Sequence, residues 1–217
     1  MIAAFYDVDE TILNINSMSS FFKFISMHYN TLGFVLNKKE LLSYINNGGD
    51  DRVMINKLYY KCLKGYTIQH IFEAGKLWFN DCVLDKNVYN KPVIDSMINH
   101  QLQGHKVVLV SGSMRPLLEP IAELLNIDNL LCTSLCVNNQ GVITGDVSGY
   151  PTVGIGKRVI IEKFANHHNI DLSKSYSYGD DVSDIQMLEC VGLPICVGGQ
   201  PSLVRYALKR KWSIIPT

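Results

Sequence analysis

Ile2-Ala3-Ala4-Phe5-Tyr6-Asp7-Val8-Asp9-Glu10-Thr11 is a short apolar run that closes on acids. An uninterrupted apolar stretch of this length fits a strand buried on both faces of a parallel sheet. In extended backbone, residues two apart point the same way, so Asp7 and Asp9 are expected to face one crevice. Open α/β sheets bind ligands at the carboxyl ends of their strands, where these acids fall. Like charges held there need a cation, a shared proton or water between them. The pair points to a divalent metal and an anionic substrate.

Outward from this run the pattern changes twice. Beyond Asp9, apolar residues at three-and-four spacing predict helices over 17–29, 35–45, 51–63 and 67–83. Gly33, Gly48-Gly49 and Gly65 punctuate them, with Asp50 and Thr67 as expected N-caps. From about Asn90 strands and helices alternate. Helix 92–103, ended by Gly104, precedes a buried strand at 106–110, helix 116–125 and strand 130–137. Asn138-Asn139-Gln140-Gly141 then turns a hairpin. Helix 157–167, strand 175–178, helix 182–190, strand 193–197, helix 201–209 and strand 212–215 complete the chain. This is the pattern of an α/β fold, a doubly wound parallel sheet with helices on both faces. The expected division is an α/β core over 1–14 and 88–217, with a helical insertion over 15–87.

Bulk properties narrow the partners. The 217 residues are 47% apolar and 18% charged, enough for a full core, with a formal net charge of zero. No global field favours nucleic acid or a membrane surface. No apolar stretch approaches the roughly twenty residues of a membrane span, and no signal-type segment is apparent. A cytoplasmic protein with no nucleic-acid or membrane partner is expected, and nothing in the sequence marks its oligomeric state. The six cysteines lie largely in apolar segments and read as buried free thiols of a reducing compartment. Cys132 and Cys136 read as strand residues and His167-His168 as a solvated helix end, not as metal sites.

Four stretches place polar groups where an apolar strand ends or a helix begins: Asp7-Val8-Asp9-Glu10-Thr11, Val110-Ser111-Gly112-Ser113, Gly154-Ile155-Gly156-Lys157 and Tyr178-Gly179-Asp180-Asp181-Val182-Ser183-Asp184. Strand ends of one parallel sheet converge on one face, so these groups can meet. In order and spacing they resemble the four motifs of the haloacid dehalogenase-like superfamily of aspartate-nucleophile phosphatases. The helical insertion falls between motifs one and two, where that superfamily carries its type-one cap. Ser111-Gly112-Ser113-Met114-Arg115-Pro116 and the spacing from Gly179-Asp180 to Asp184 resemble the phosphoserine-phosphatase-like branch.

The resemblance implies a Mg²⁺-dependent hydrolase of a small phosphate monoester. It assigns Asp7 as the nucleophile that becomes an aspartyl-phosphate, and Asp9 as the general acid and base. It places Mg²⁺ on the Asp7 carboxylate, the Asp9 main-chain carbonyl and Asp180, with Asp184 through water or from behind. Ser111 and the Gly112 N–H are expected on phosphoryl oxygens, Thr11 with them as a support of the first loop, and Lys157 on the transition-state charge. Asp181 reads as a solvated neighbour, Glu10 as a turn residue, and Arg115 as a surface or helix-start residue. Asp9 separates the chain from haloacid dehalogenases, which need no acid there, and from cation-pump relatives, which carry threonine. A phosphoryl transferase and a non-enzymatic receiver-like phospho-switch are the alternatives.

The chain departs from phosphoserine phosphatases at Asn14-Ile15-Asn16-Ser17, where they carry a glutamate that reads the substrate ammonium. A buried ammonium without a carboxylate is costly, which disfavours phosphoserine. Phe21, Phe22, Phe24, Tyr29, Tyr44, Tyr59, Tyr60, Trp78 and Phe79 crowd the insertion. Most are expected in its core, with one or two lining an approach suited to a larger or more apolar alcohol.

Overall fold

The computed structural model describes residues 1–28 and 31–216, apart from the side chain of Leu32. In chain order the elements are β1 (Ala3–Tyr6), α1 (Ser17–His28), α2 (Leu32–Asn46), α3 (Arg52–Lys61), α4 (Ile68–Phe79) and a π-turn at Asn80–Leu84. Next come α5 (Lys91–Leu102), β2 (Lys106–Met114), α6 (Arg115–Leu124), β3 (Asn129–Thr133), β4 (Leu135–Val137) and β5 (Ile143–Val147). The chain continues through α7 (Ile155–His168), β6 (Tyr176–Gly179), α8 (Ile185–Leu188), β7 (Leu193–Val197), α9 (Pro201–Arg210) and β8 (Ser213–Ile215).

The expected α/β architecture is present. Six strands pair in the order β3-β2-β1-β6-β7-β8, every pairing parallel. β1 is central because both its faces are apolar. Ala3 and Phe5 pack with Val108, Val110, Ile161 and Ala165 on one side, under α7. Ala4 and Tyr6 pack with Leu109, Met97, Leu117 and Tyr178 on the other, under α5 and α6. Burying each such side chain contributes roughly 1.5–3 kcal/mol. The chain runs outward through β2 and β3, then returns to β1's other edge as β6. The strand order therefore reverses at β1, and the crevice beyond its carboxyl end is where such sheets bind ligands.

Four helices fill the insertion, as their spacing predicts. Its entry and exit strands are tied together: Asn14 N–H donates to Val88 O at 2.6 Å and Asn90 N–H to Ile12 O at 2.8 Å. A second tie comes from the β4–β5 hairpin, whose Ile143 exchanges backbone hydrogen bonds with Gly65 and Tyr66 at 3.0 and 2.8 Å.

Several expectations need correction. Strand 130–137 is two strands: β3 pairs in the main sheet, and after Ser134 β4 leaves it to pair with β5. β2 does not stop at Val110 but runs through Ser111 to Met114, with an irregularity in its pairing to β3 between Ser111 and Met114. Helix 182–190 is a 3₁₀ turn (Val182–Asp184) followed by the single turn of α8. The cap of α3 is Asp51, not Asp50, because its carboxylate accepts from Val53 and Met54 N–H. Gly33 lies inside α2, tolerated in a first turn that Thr31 already caps. The expected helix end at Tyr29 lies outside the described residues. Among these residues no helix is long and apolar enough to cross a membrane.

Candidate active site

Register alone brings the first acid to the crevice. Tyr6 pairs with both Leu109 and Tyr178, and Asp7 N–H donates to Tyr178 O at 2.9 Å. Asp7 therefore emerges beside the end of β6, with 7% of its surface exposed. Asp184 reaches the same point from the 3₁₀ turn. Its Oδ2 accepts the N–H groups of Asp180 and Asp181, each at 3.3 Å. Only glycine fits at 179, since a Cβ there would stand 2.7 Å from that of Asp184. Lys157 rises from the first turn of α7. Gly156 permits that approach, because a Cβ there would collide with the Pro151 carbonyl. The Lys157 ammonium is buried and sits 2.6 Å from Asp7 Oδ1 and 2.6 Å from Asp184 Oδ1.

Charge is out of balance here. Asp7, Asp9, Asp180 and Asp184 line one cavity with Lys157 as the buried cation among them. Burial pushes the Asp7 carboxyl well up; Lys157 opposes this, and Asp184, Asp180 and Asp9 add to it. Burial and Asp184 push Asp180 up to about 7, against a hydrogen bond from Thr11. Burial also raises Asp9, against hydrogen bonds from Ser17. Lys157 is held protonated: burial works against its charge, but Asp184 and Asp7 outweigh it and raise its pKa. Carboxylate oxygens of Asp7, Asp180 and Asp184 lie within 4.8 Å of one another. An all-oxygen donor set whose members repel each other into protonation fits a hard divalent cation such as Mg²⁺.

Ser111 and Gly112 line the same cavity of about 420 Å³. Ser111 Oγ accepts from Ser113 N–H at 3.0 Å, which fixes its rotamer. Asp9 Oδ1 accepts from Ser17 N–H at 2.9 Å, so the second acid is fastened to the first residue of α1. Thr11 differs from expectation. It is fully buried, and its hydroxyl donates to Asp180 Oδ1 at 2.8 Å. With that donor committed, Thr11 stands behind Asp180 and not on the cavity wall. Asp181 is also corrected. It is no solvated neighbour but caps the 3₁₀ turn and accepts from Gln200 Nε2 at 2.6 Å and Arg52 Nη2 at 3.2 Å. Glu10 is exposed, in a turn at φ 59°, and Arg115 opens α6 facing Glu119.

Contacts from the insertion were missed by the sequence reading. Asn56 Nδ2 and Tyr60 Oη of α3 both donate to Gly112 O, at 2.8 and 2.7 Å. The available signal was a buried-face asparagine among Leu58, Tyr59 and Tyr60, where a polar side chain needs a partner. Of the insertion aromatics, Phe22 and Tyr59 line the cavity, while Phe21, Tyr60 and Trp78 are core; Tyr29 lies outside the described residues. The six cysteines are free thiols, but only Cys62 and Cys196 are buried and the other four are partly exposed, which corrects the expected burial.

Comparison with known proteins agrees with this geometry. Residues 4–189 match the family model of the haloacid dehalogenase-like hydrolases. The chain is 32% identical over 223 residues to an "Inhibition of morphological differentiation protein" of Streptomyces azureus, covering 98% of this chain and 77% of that one. It is 28% identical over 219 residues to a "Probable phosphatase" of Mycobacterium tuberculosis, covering 98% and 74%. Among solved structures, a phospho-aspartyl intermediate analogue of phosphoserine phosphatase superposes with a TM-score of 0.67 at 23% identity, covering 98% and 91%.

Proposed function

The chain belongs to the haloacid dehalogenase-like hydrolases, and from that premise we propose that it is a Mg²⁺-dependent phosphomonoesterase acting through an aspartyl-phosphate on Asp7. The observation that carries this reading is the meeting of Asp7, Asp180, Asp184 and Lys157 with Ser111 and Gly112 at the mouth of the reversed sheet. A receiver-like switch fits less well, since it has no use for a cavity walled by an inserted helical layer. Residues 15–87 act as the cap over that cavity, and the free thiols suit a cytoplasmic setting.

A phosphate monoester resists attack because its oxygens repel nucleophiles, so positioning and charge compensation do most of the work. Asp7, Asp180 and the Asp9 main-chain carbonyl would hold Mg²⁺, with Asp184 through water or from behind, and the ion would offset the carboxylate and phosphoryl charge. Lys157 occupies Asp7 Oδ1. Asp7 Oδ2 accepts no hydrogen bond from the described residues, and this oxygen attacks phosphorus. Ser111 Oγ and Gly112 N–H orient the phosphoryl oxygens. The ester P–O bond breaks as Asp9 delivers its proton to the leaving alcohol. Burial raises the Asp9 pKa, which favours the protonated form this step needs. Asp9 then takes a proton from water. That water attacks the aspartyl-phosphate, releasing inorganic phosphate and restoring Asp7.

Asp7→Asn tests the assignment. Turnover of 4-nitrophenyl phosphate should fall by about 10⁴-fold or more, with an unchanged circular-dichroism spectrum. Wild-type turnover in a folded Asp7→Asn protein would overturn the nucleophile.

A further inference from the structure

The cavity extends well beyond the acids, and its far wall has a different chemistry. Every carboxylate lining it comes from the core loops: Asp7, Asp9, Glu10, Asp180, Asp181 and Asp184. Among the described residues, the insertion adds no acid to the wall. It adds apolar side chains, chiefly Phe22, Leu41, Ile45 and Ile55, and three cations, Lys23, Lys38 and Arg52. Arg52 is engaged by Asp181 at 3.2 Å. Lys23 and Lys38 have no ion pair with any described residue, whereas Lys61 of α3 is paired with Glu40.

Lys38 is nevertheless not a loose surface lysine. Its ammonium stands 5.3 Å from the centroid of Phe22 and 6.0 Å from that of Phe34. The two ring faces attract it electrostatically without neutralising it. The result is a positioned positive charge with no ion partner among the described residues, on the apolar, insertion-derived part of the cavity whose core-derived part carries the acids. An anion satisfies such a charge; an ammonium there would meet repulsion and no counter-charge.

Resting on the phosphomonoesterase reading, we infer that the substrate is a phosphate ester with an apolar body and a second anionic group at its far end, read by Lys38 with Lys23. A carboxylate or another phosphate would serve. Esters of amino alcohols, whose far end is cationic, are selected against by the same wall.

Matched alkylphosphonates of four to eight carbons test this, ending in methyl, carboxylate or ammonium, with binding to the Mg²⁺-supplemented protein read by titration calorimetry. For at least one chain length the carboxylate compound should bind about tenfold tighter than the ammonium compound, with methyl between, and 0.5 M salt should narrow the spread. In Lys23→Gln/Lys38→Gln the ratio of carboxylate to ammonium affinities should fall below about threefold, with the melting temperature confirming the fold. Equal or stronger binding of the ammonium compounds at all lengths, or a preference that survives the double substitution, overturns the inference. Because binding is read directly, a failure of the protein to hydrolyse 4-nitrophenyl phosphate refutes the hydrolase reading separately.

Discussion

At the strand ends, Asp7, Asp180 and Asp184 are placed by backbone pairing and by N–H groups that grip a carboxylate. Across the cavity, Phe22, Leu41 and Tyr59 are placed by helices packing on one another. The first kind of placement is rigid, because sheet register moves only in whole-residue steps that invert every side chain. The second is tolerant, since volume-conserving apolar changes usually cost less than about 1.5 kcal/mol. Buried like charges need the rigid frame, where a small displacement unbalances the whole cluster. An apolar wall that sorts substrates by bulk and charge does not. On the proposed function, the contrast puts reaction chemistry in the core and selectivity in the insertion.

The strongest way to break that division is to remove the cation. Exhaustive treatment with EDTA should abolish hydrolysis, a loss of about 10³-fold or more, and added Mg²⁺ should restore it. Activity that survives chelation would separate the acidic cluster from catalysis. Asp9→Asn comes next, with kcat expected to drop by about 10²- to 10⁴-fold. Because Asp9 also accepts from Ser17 at the start of α1, a change in KM alone would make it a cap anchor instead.

A third measurement probes the core away from the cavity. His100 is buried beneath the sheet, with Nε2 2.8 Å from Tyr178 Oη and Nδ1 2.8 Å from His105 Nδ1, while Ser96 links Tyr178 to Tyr6. Burial and His105 push the His100 pKa down to about 4 from 6.5. Between those values the unfolded chain binds a proton that the folded chain lacks, so stability falls as pH drops from 6.5 to 4 and is insensitive to this group above it. Because the raised carboxyls of Asp9 and Asp180 pull the other way in this range, the readout is the difference in unfolding free energy between wild type and His100→Gln, which should change by roughly 2–3 kcal/mol across that window in denaturant titration. The smallest effect concerns the seam between the two regions. Tyr60→Phe deletes one of two donors to Gly112 O and should lower unfolding free energy by about 1 kcal/mol. A much larger loss would show that the insertion's grip on the second motif is less redundant than its geometry.

Much of this arrangement is readable along the chain, for identifiable reasons. Apolar runs such as Val107–Val110 and Leu193–Val197 are too short for helices and are bounded by turn residues, so they read as strands, and Asp51- or Thr67-type residues before periodic stretches mark helix starts within a residue. The split of 130–137 was not readable, because a strand that changes sheets keeps its alternation through the break at Ser134. Thr11 was misassigned for a related reason. A hydroxyl two residues from an acid can serve a ligand or a neighbour, and only the arrival of Asp180 at 2.8 Å decides between them.

The order of the elements and the residue types at each strand end follow from the chain alone, because periodicity and side-chain charge are local properties. Which groups touch was decided only in three dimensions. Lys157 and Asp7 lie 150 positions apart and meet within 2.6 Å, and Asn56 and Tyr60 find Gly112 through helix packing. Lys38 meets two aromatic faces, and no ion partner among the described residues, in the same way. Contacts of this kind depend on register and on how side chains share space, and neither is written in any single segment of the chain.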